Sequence, residues 1–138
     1  MQRDTILVTG GAGYIGSHLV RKLLQRGYNV RVLDKFLYGE HGIADLVGQR
    51  NFEVRYGDIC HIRDVVQAVR GVRAVIALAA LVGDAACDLD PRETLMTNYE
   101  STRVLLEACR EASVQRLVFA SSCSVYGANG SNFLHEDS

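Results

Sequence analysis

Three groups of residues have types and spacings that could do chemistry. The first is TGGAGYIGS at Thr9–Ser17, whose glycines read as GxGxxG (Gly11, Gly13, Gly16) or as GxxGxxG (Gly10, Gly13, Gly16). Between a strand and a helix, such a turn brings backbone close to a pyrophosphate. The free N–H groups and positive dipole end of the helix then face the phosphates. A triphosphate loop shares the Gly11–Gly16 spacing but needs a lysine where this chain has Ser17. The second group is acidic. Asp34, eighteen residues after Gly16, suits a carboxylate that accepts from both ribose hydroxyls and repels a 2′-phosphate, which favours NAD over NADP. It suits a strand-end turn as well, and Lys35 beside it is a cation that could receive a phosphate. Asp58, with Ile59 after it, could meet an adenine or cap the following helix. The third group is SSCS at Ser121–Ser124, where hydroxyls and a thiol close an apolar run.

These groups need elements to position them, and two periodicities alternate along the chain. TILVT (Thr5–Thr9), NVRVLD (Asn29–Asp34), FEVRYGD (Phe52–Asp58), RAVIALAAL (Arg73–Leu81) and QRLVFAS (Gln115–Ser121) read as strands. Between them, Tyr14–Arg26 carries Ile15, Leu19, Val20, Leu23 and Leu24 on one helical face, and Gly27 sits where a helix C′ glycine belongs. Ile62–Val69 is a second helix. Pro91 at N1 with Asp90 as N-cap starts a third, expected to run to about Ala112. The stretch from Phe36 to Arg50 is irregular, with a short helix expected around Ile43–Val47. Strands alternating with helices predict an α/β fold: a doubly wound parallel sheet of five strands in the order 3-2-1-4-5.

Composition narrows the function classes. The 138 residues fit one domain, and a net charge of −1 with 22% charged residues gives no footprint for nucleic acid or an anionic membrane. No apolar run approaches the roughly 18 residues that span a bilayer. The opening residues are expected not to form a signal peptide. Cys60, Cys87, Cys109 and Cys123 show neither CxxC nor zinc-like spacing, so free thiols in a reducing cytoplasm, and no metal, are expected.

Six segments lie in order over essentially the whole chain: TGGAGYIGSHL, LD at 33–34, GDI at 57–59, ALAALVG at 77–83, NYESTRVLLEA at 98–108 and LVFASSCSVYG at 117–127. Together they resemble the extended short-chain dehydrogenases, the NAD-dependent epimerase/dehydratase family that acts on nucleotide sugars. The resemblance implies a Rossmann-type fold and a role for each segment. Gly10, Gly13 and Gly16 match the phosphate turn, with Tyr14 and Ile15 in its backbone contact region. Asp34, with Lys35 beside it, matches the ribose ligand, and Asp58 and Ile59 the adenine end. Leu78, Ala79 and Ala80 match the strand end along the cofactor, and Asn98 the helix asparagine near the active site. Ser122 matches the catalytic hydroxyl that bonds the sugar hydroxyl being oxidised.

The chain also departs from the family pattern. Ala77 stands where a histidine often precedes LAA, and Ser101 replaces the glycine of NxxGT. Cys123 and Ser124, on the substrate side, stand where 4,6-dehydratases carry an Asp–Glu pair, which favours epimerase or reductase chemistry. The family's base is the tyrosine of YxxxK, and a tyrosine near its free pKa of about 10 is a poor base at neutral pH. None of Tyr14, Tyr28, Tyr38, Tyr56, Tyr99 and Tyr126 has lysine four residues on. The expectation is therefore an N-terminal portion. Residues 1–127 form an NAD-binding Rossmann domain incomplete at its C-terminal side, and 128–138 form a loop leading to a missing catalytic and substrate-binding part. Such a chain is inactive alone. The alternative is a stand-alone, non-catalytic dinucleotide-binding or sensor module. Expected partners are NAD, a nucleotide sugar in the full-length protein, and a second copy of the chain. Self-association would use the 91–112 helix or the open fifth strand.

Overall fold

A computed structural model describes residues 4–127 and 135–137; most of the tail expected as loop, 128–134 and Ser138, lies outside the described residues. Five strands form one sheet: β1 (Thr5–Thr9), β2 (Asn29–Asp34), β3 (Phe52–Tyr56), β4 (Ala74–Ala77) and β5 (Arg116–Phe119). Their order is β3-β2-β1-β4-β5, and every neighbouring pair is parallel. The helices are α1 (Tyr14–Gln25), α2 (Ile62–Val69), α3 (Asp84–Leu89), α4 (Pro91–Leu95) and α5 (Ser101–Glu111).

Strand alternation divides the core between two faces. Ile6, Val8, Val30 and Val32 point one way and pack with Val20 and Leu23 of α1 and with Ile43 and Leu46. Leu7, Leu33 and Val75 point the other way, against Val65, Ala68 and Val69 of α2 and Leu105, Ala108 and Cys109 of α5. Each large side chain fully buried here contributes about 1.5–3 kcal/mol. Among the described residues, no helix is long and apolar enough to cross a membrane.

Register then places the site. Thr9 pairs with Leu33 and with Ala77, and Asp34 pairs with Tyr56. Gly10, Asp34, Gly57 and Leu78 therefore leave the sheet side by side at its carboxyl edge, where ligands of open α/β sheets bind.

Local signals hold at the C-terminal end of α1 and at the start of α4. Gly27 has φ +88°. Its N–H donates to the Leu24 carbonyl at 2.9 Å and the Tyr28 N–H to Leu23 at 3.2 Å, a full Schellman closure. Asp90 accepts from the Glu93 N–H at 2.9 Å with Pro91 following it.

Tertiary context changes other expectations. The 91–112 helix is not continuous: a π turn, Met96–Glu100, separates α4 from α5. The Ser101 and Thr102 hydroxyls donate back to the Thr97 and Asn98 carbonyls across that turn, and such back-bonding bends helices. Ser101, in place of the glycine, is buried to 3% exposure and settles its hydroxyl in this way. β4 stops at Ala77 rather than Leu81, and β5 covers only Arg116–Phe119. The helix expected near Ile43–Val47 is a single 3-10 turn, Ala44–Leu46, and α3 was not foreseen. β5 is an edge strand, with Val118 and Phe119 about half exposed, at 50% and 51%.

Candidate functional site

The turn after β1 is built for close approach. Gly10 lies at φ +73°, and a Cβ on it would sit 2.7 Å from the Ala79 nitrogen. Its N–H donates to the Leu33 carbonyl at 2.9 Å, and its own carbonyl accepts from the Gly13 N–H at 3.2 Å. Gly16, in the first turn of α1, faces that same carbonyl, which a Cβ would approach to 2.2 Å. The helix therefore rests directly on the strand-end loop. α1 starts from Gly13 with no side-chain cap and no acidic residue in its first turn. Its first N–H groups and positive dipole end are left for an anion.

Asp34 fastens this turn from the neighbouring strand. Its Oδ2 accepts from the Ala12 N–H at 2.9 Å and its Oδ1 from the Phe36 N–H at 2.8 Å. The strand-end role weighed from sequence is thus present, and the same carboxylate also lines the cleft. Phe36 is held at φ +60°, a conformation costly for a bulky residue, by this bond and by its ring lying 4.6 Å from that of Tyr56.

Beyond β3, Asp58 does not cap α2. The N-cap position is His61, and Asp64 reaches back to accept from the Asp58 N–H at 2.9 Å. The Asp58 carboxylate instead accepts from the Cys60 N–H at 2.8 Å and pairs with the Lys35 ammonium at 2.9 Å. Burial pushes the Asp58 carboxyl up, but the Cys60 N–H and Lys35 outweigh it and leave it below its ordinary value. The hydrogen bond to Asp58 and its negative charge hold the Lys35 ammonium above its ordinary value. Burial raises the Cys60 and Cys109 thiols.

The segment after β4 is clamped from the π turn. The Asn98 amide accepts from the Leu81 N–H and donates to the Leu81 carbonyl, both at 2.8 Å. Both ends of the side chain are thereby committed to the backbone of one residue. Asn98 positions the wall of the cleft rather than lining it.

One cleft at the carboxyl edge gathers Gly10 and Gly13, Asp34 and Lys35, Asp58 and Ile59, and Leu78, Ala79 and Ala80. Leu37, Tyr38, Leu81, Glu93 and Thr97 also line it, from irregular or interrupted segments without a readable period. The N-cap pairing at Pro91 could have pointed to Glu93 and Thr97, because it starts a helix just past the sheet edge. Gly16 and the exposed Tyr14 and Ile15, at 84% and 68%, are outside the lining. So are Ser122 and Ser124, both exposed. The Ser122 hydroxyl oxygen accepts from the Ser124 N–H at 3.1 Å and caps the 3-10 turn Cys123–Tyr126. The Cys123 side chain lies outside the described residues. Open N–H groups, carboxylate acceptors and the apolar Leu33, Ile59 and Leu78 fit, in that order, a pyrophosphate, ribose hydroxyls and an adenine.

Comparison with known proteins follows the same outline. A model of the NAD dependent epimerase/dehydratase family matches residues 6–138. UDP-glucose 4-epimerase of Erwinia amylovora is 42% identical over 131 residues, covering 91% of this chain and 39% of that protein. Sterol-4-alpha-carboxylate 3-dehydrogenase, decarboxylating, of Mus musculus is 34% identical over 118 residues, covering 86% of this chain and 30% of that protein. The crystal structure of a dTDP-glucose 4,6-dehydratase from Streptomyces venezuelae with NAD bound superposes with a TM-score of 0.85 at 33% identity, covering 93% of this chain and 42% of that one. The chain thus spans between 30% and 42% of the length of these three proteins.

Proposed function

The chain belongs to the NAD dependent epimerase/dehydratase family, and on that premise we propose that its residues form the NAD-holding part of an oxidoreductase of nucleotide sugars. The observation that carries this reading is the side-by-side exit of the Gly10 turn, Asp34 and Asp58 at one sheet edge, in front of the uncapped start of α1.

Each group has its own task. The α1 N–H groups and the glycine turn hold the pyrophosphate. Asp34, anchored by two backbone N–H groups, accepts from the ribose hydroxyls with its remaining lone pairs. Asp58 and Ile59 bound the adenine end, and Leu78, Ala79 and Ala80, braced by Asn98, form the wall along the cofactor. When bound, the nicotinamide would accept a hydride from the sugar carbon whose hydroxyl is being oxidised. Ser122 orients that hydroxyl once its oxygen exchanges the Ser124 N–H for substrate. Cys123 and Ser124 replace an acid/base pair needed for dehydration, so epimerisation or reduction is the expected outcome. No tyrosine has a lysine four residues on, so the chain has no activated base of the YxxxK kind.

The test is calorimetry with NAD, followed by turnover assays of the NAD-loaded protein on UDP-glucose, dTDP-glucose and a sterol carboxylate. The expected result is NAD binding without sustained turnover. No NAD binding would overturn the cofactor role. Steady turnover of a nucleotide sugar would overturn the inactivity, and turnover of the sterol would overturn the substrate class.

A further inference from the structure

Lys35 stands where it could undo the selectivity of its neighbour. It directly follows Asp34 at the end of β2 and lines the same cleft, a place from which an ammonium can neutralise a ribose 2′-phosphate. Yet its Nζ lies 2.9 Å from Asp58 Oδ2, at the end of the next strand. Asp58 is the fixed partner of this pair, because its other oxygen accepts from the Cys60 N–H at 2.8 Å, while Lys35 is half exposed on a flexible stem. Among the described residues lining the cleft, Lys35 is the one cation against three carboxylates, Asp34, Asp58 and Glu93.

We propose that the Lys35–Asp58 pair is a cofactor-selectivity latch: Asp58 holds the cleft's ammonium so that it is withheld from a 2′-phosphate. The proposal rests on the NAD reading above and extends it. Asp34 repels the extra phosphate, and Asp58 keeps Lys35 from compensating. Breaking the latch frees a cation beside the ribose end and removes one of the opposing carboxylates, so both changes move preference toward NADP. Only the first change depends on Lys35.

Calorimetric titration of NAD and of NADP into four proteins tests this: wild type, Asp58→Asn, Lys35→Met and the double variant. Asparagine at 58 retains an oxygen for the Cys60 N–H, so the loop keeps its turn. Any loss of adenine contact affects both cofactors alike and cancels in their affinity ratio. Asp58→Asn is expected to shift that ratio toward NADP by about fivefold, the scale of one partly exposed charge pair. Lys35→Met alone leaves the ratio on the NAD side, and adding it to Asp58→Asn removes most of the shift. NAD binding with an unmoved ratio in Asp58→Asn, or a shift that survives intact in the double variant, overturns the latch alone. A wild type that binds no NAD overturns the cofactor reading and the latch with it.

Discussion

Replacing Gly16 with alanine, set against the same change at Gly13, isolates the close approach on which the phosphate turn depends. A Cβ at position 16 would lie 2.2 Å from the Gly10 oxygen, 2.7 Å from the Gly11 Cα and 2.9 Å from the Gly11 carbonyl carbon. All three atoms are backbone of a turn tied to β2 through the Gly10 and Ala12 N–H groups, so none can swing aside as a side chain would. Relief requires α1 to lift from the sheet edge. Overpacking of this kind costs about 1–3 kcal/mol and sometimes more. Alanine's helix propensity and the lower entropy of the unfolded chain return about 1 kcal/mol. Three backbone contacts under 3.0 Å put this site at the upper end of that range, about 3 kcal/mol, so a net loss of about 2 kcal/mol, or roughly 6–10 °C in melting temperature for a domain of this size, is expected for Gly16→Ala. At position 13 the Cβ meets only the Gly10 oxygen, at 3.3 Å, and the backbone is at φ −69°, which any residue adopts. Gly13→Ala should therefore stay within about 1 kcal/mol of wild type. Thermal and urea unfolding followed by circular dichroism gives both numbers. A Gly16→Ala protein that melts with the wild type, or a larger loss from Gly13→Ala, would refute the packing argument.

Three further outcomes follow from the same geometry. Asn98→Ala removes two bonds to the Leu81 backbone, about 1 kcal/mol each; it should lower stability by about 2 kcal/mol and speed hydrogen exchange at the Leu81 amide, which a mere surface role would leave slow. The depressed Asp58 carboxyl contributes stability that is fully present above its ordinary value of 3.8 and lost as pH falls through its lower folded value. The raised Lys35 contribution is present below 10.5 and lost as pH rises through its higher folded value. The urea midpoint of Asp58→Asn should accordingly fall less steeply on the acid side. Ile62, Val66 and Leu106 leave an exposed apolar groove between α2 and α5. Sedimentation velocity over a concentration series should show self-association that Leu106→Glu abolishes, and a wild type that stays monomeric contradicts it.

Much of this was legible in the residues because it rests on local chemistry. Gly27 closes α1 and Asp90–Pro91 opens α4 through bonds made within a few residues, so their types alone announce them. The unbroken apolar run Ile6–Leu7–Val8 declares a strand buried on both faces, and the order of such strands fixes which ends share an edge. What was not legible depends on which of several competing partners a polar group takes once the fold has formed. Nothing near Asp58 says that Asp64, six residues on, will take its N–H and leave its carboxylate to Lys35. The apolar stripe from Leu95 to Cys109 reads as one helix, and the π turn follows from where the Thr97 and Asn98 carbonyls meet the next hydroxyls. The family resemblance assigns Ser122 its role as the catalytic hydroxyl, and nothing in that resemblance says that its oxygen also caps the turn that follows.

The cofactor claim meets its most direct test in calorimetry of NAD and NADP binding to the wild type and to Asp34→Asn. Asparagine keeps one oxygen for the turn but loses the charge that strengthens bonds to ribose hydroxyls, worth about 1.5–3 kcal/mol where the acceptor is ionised. Wild type should bind NAD in preference to NADP. Asp34→Asn, still folded by circular dichroism, should lose about tenfold in NAD affinity and narrow that preference. A wild type indifferent to the 2′-phosphate, or NAD affinity unchanged in Asp34→Asn, would contradict the claim that this sheet edge is an NAD site.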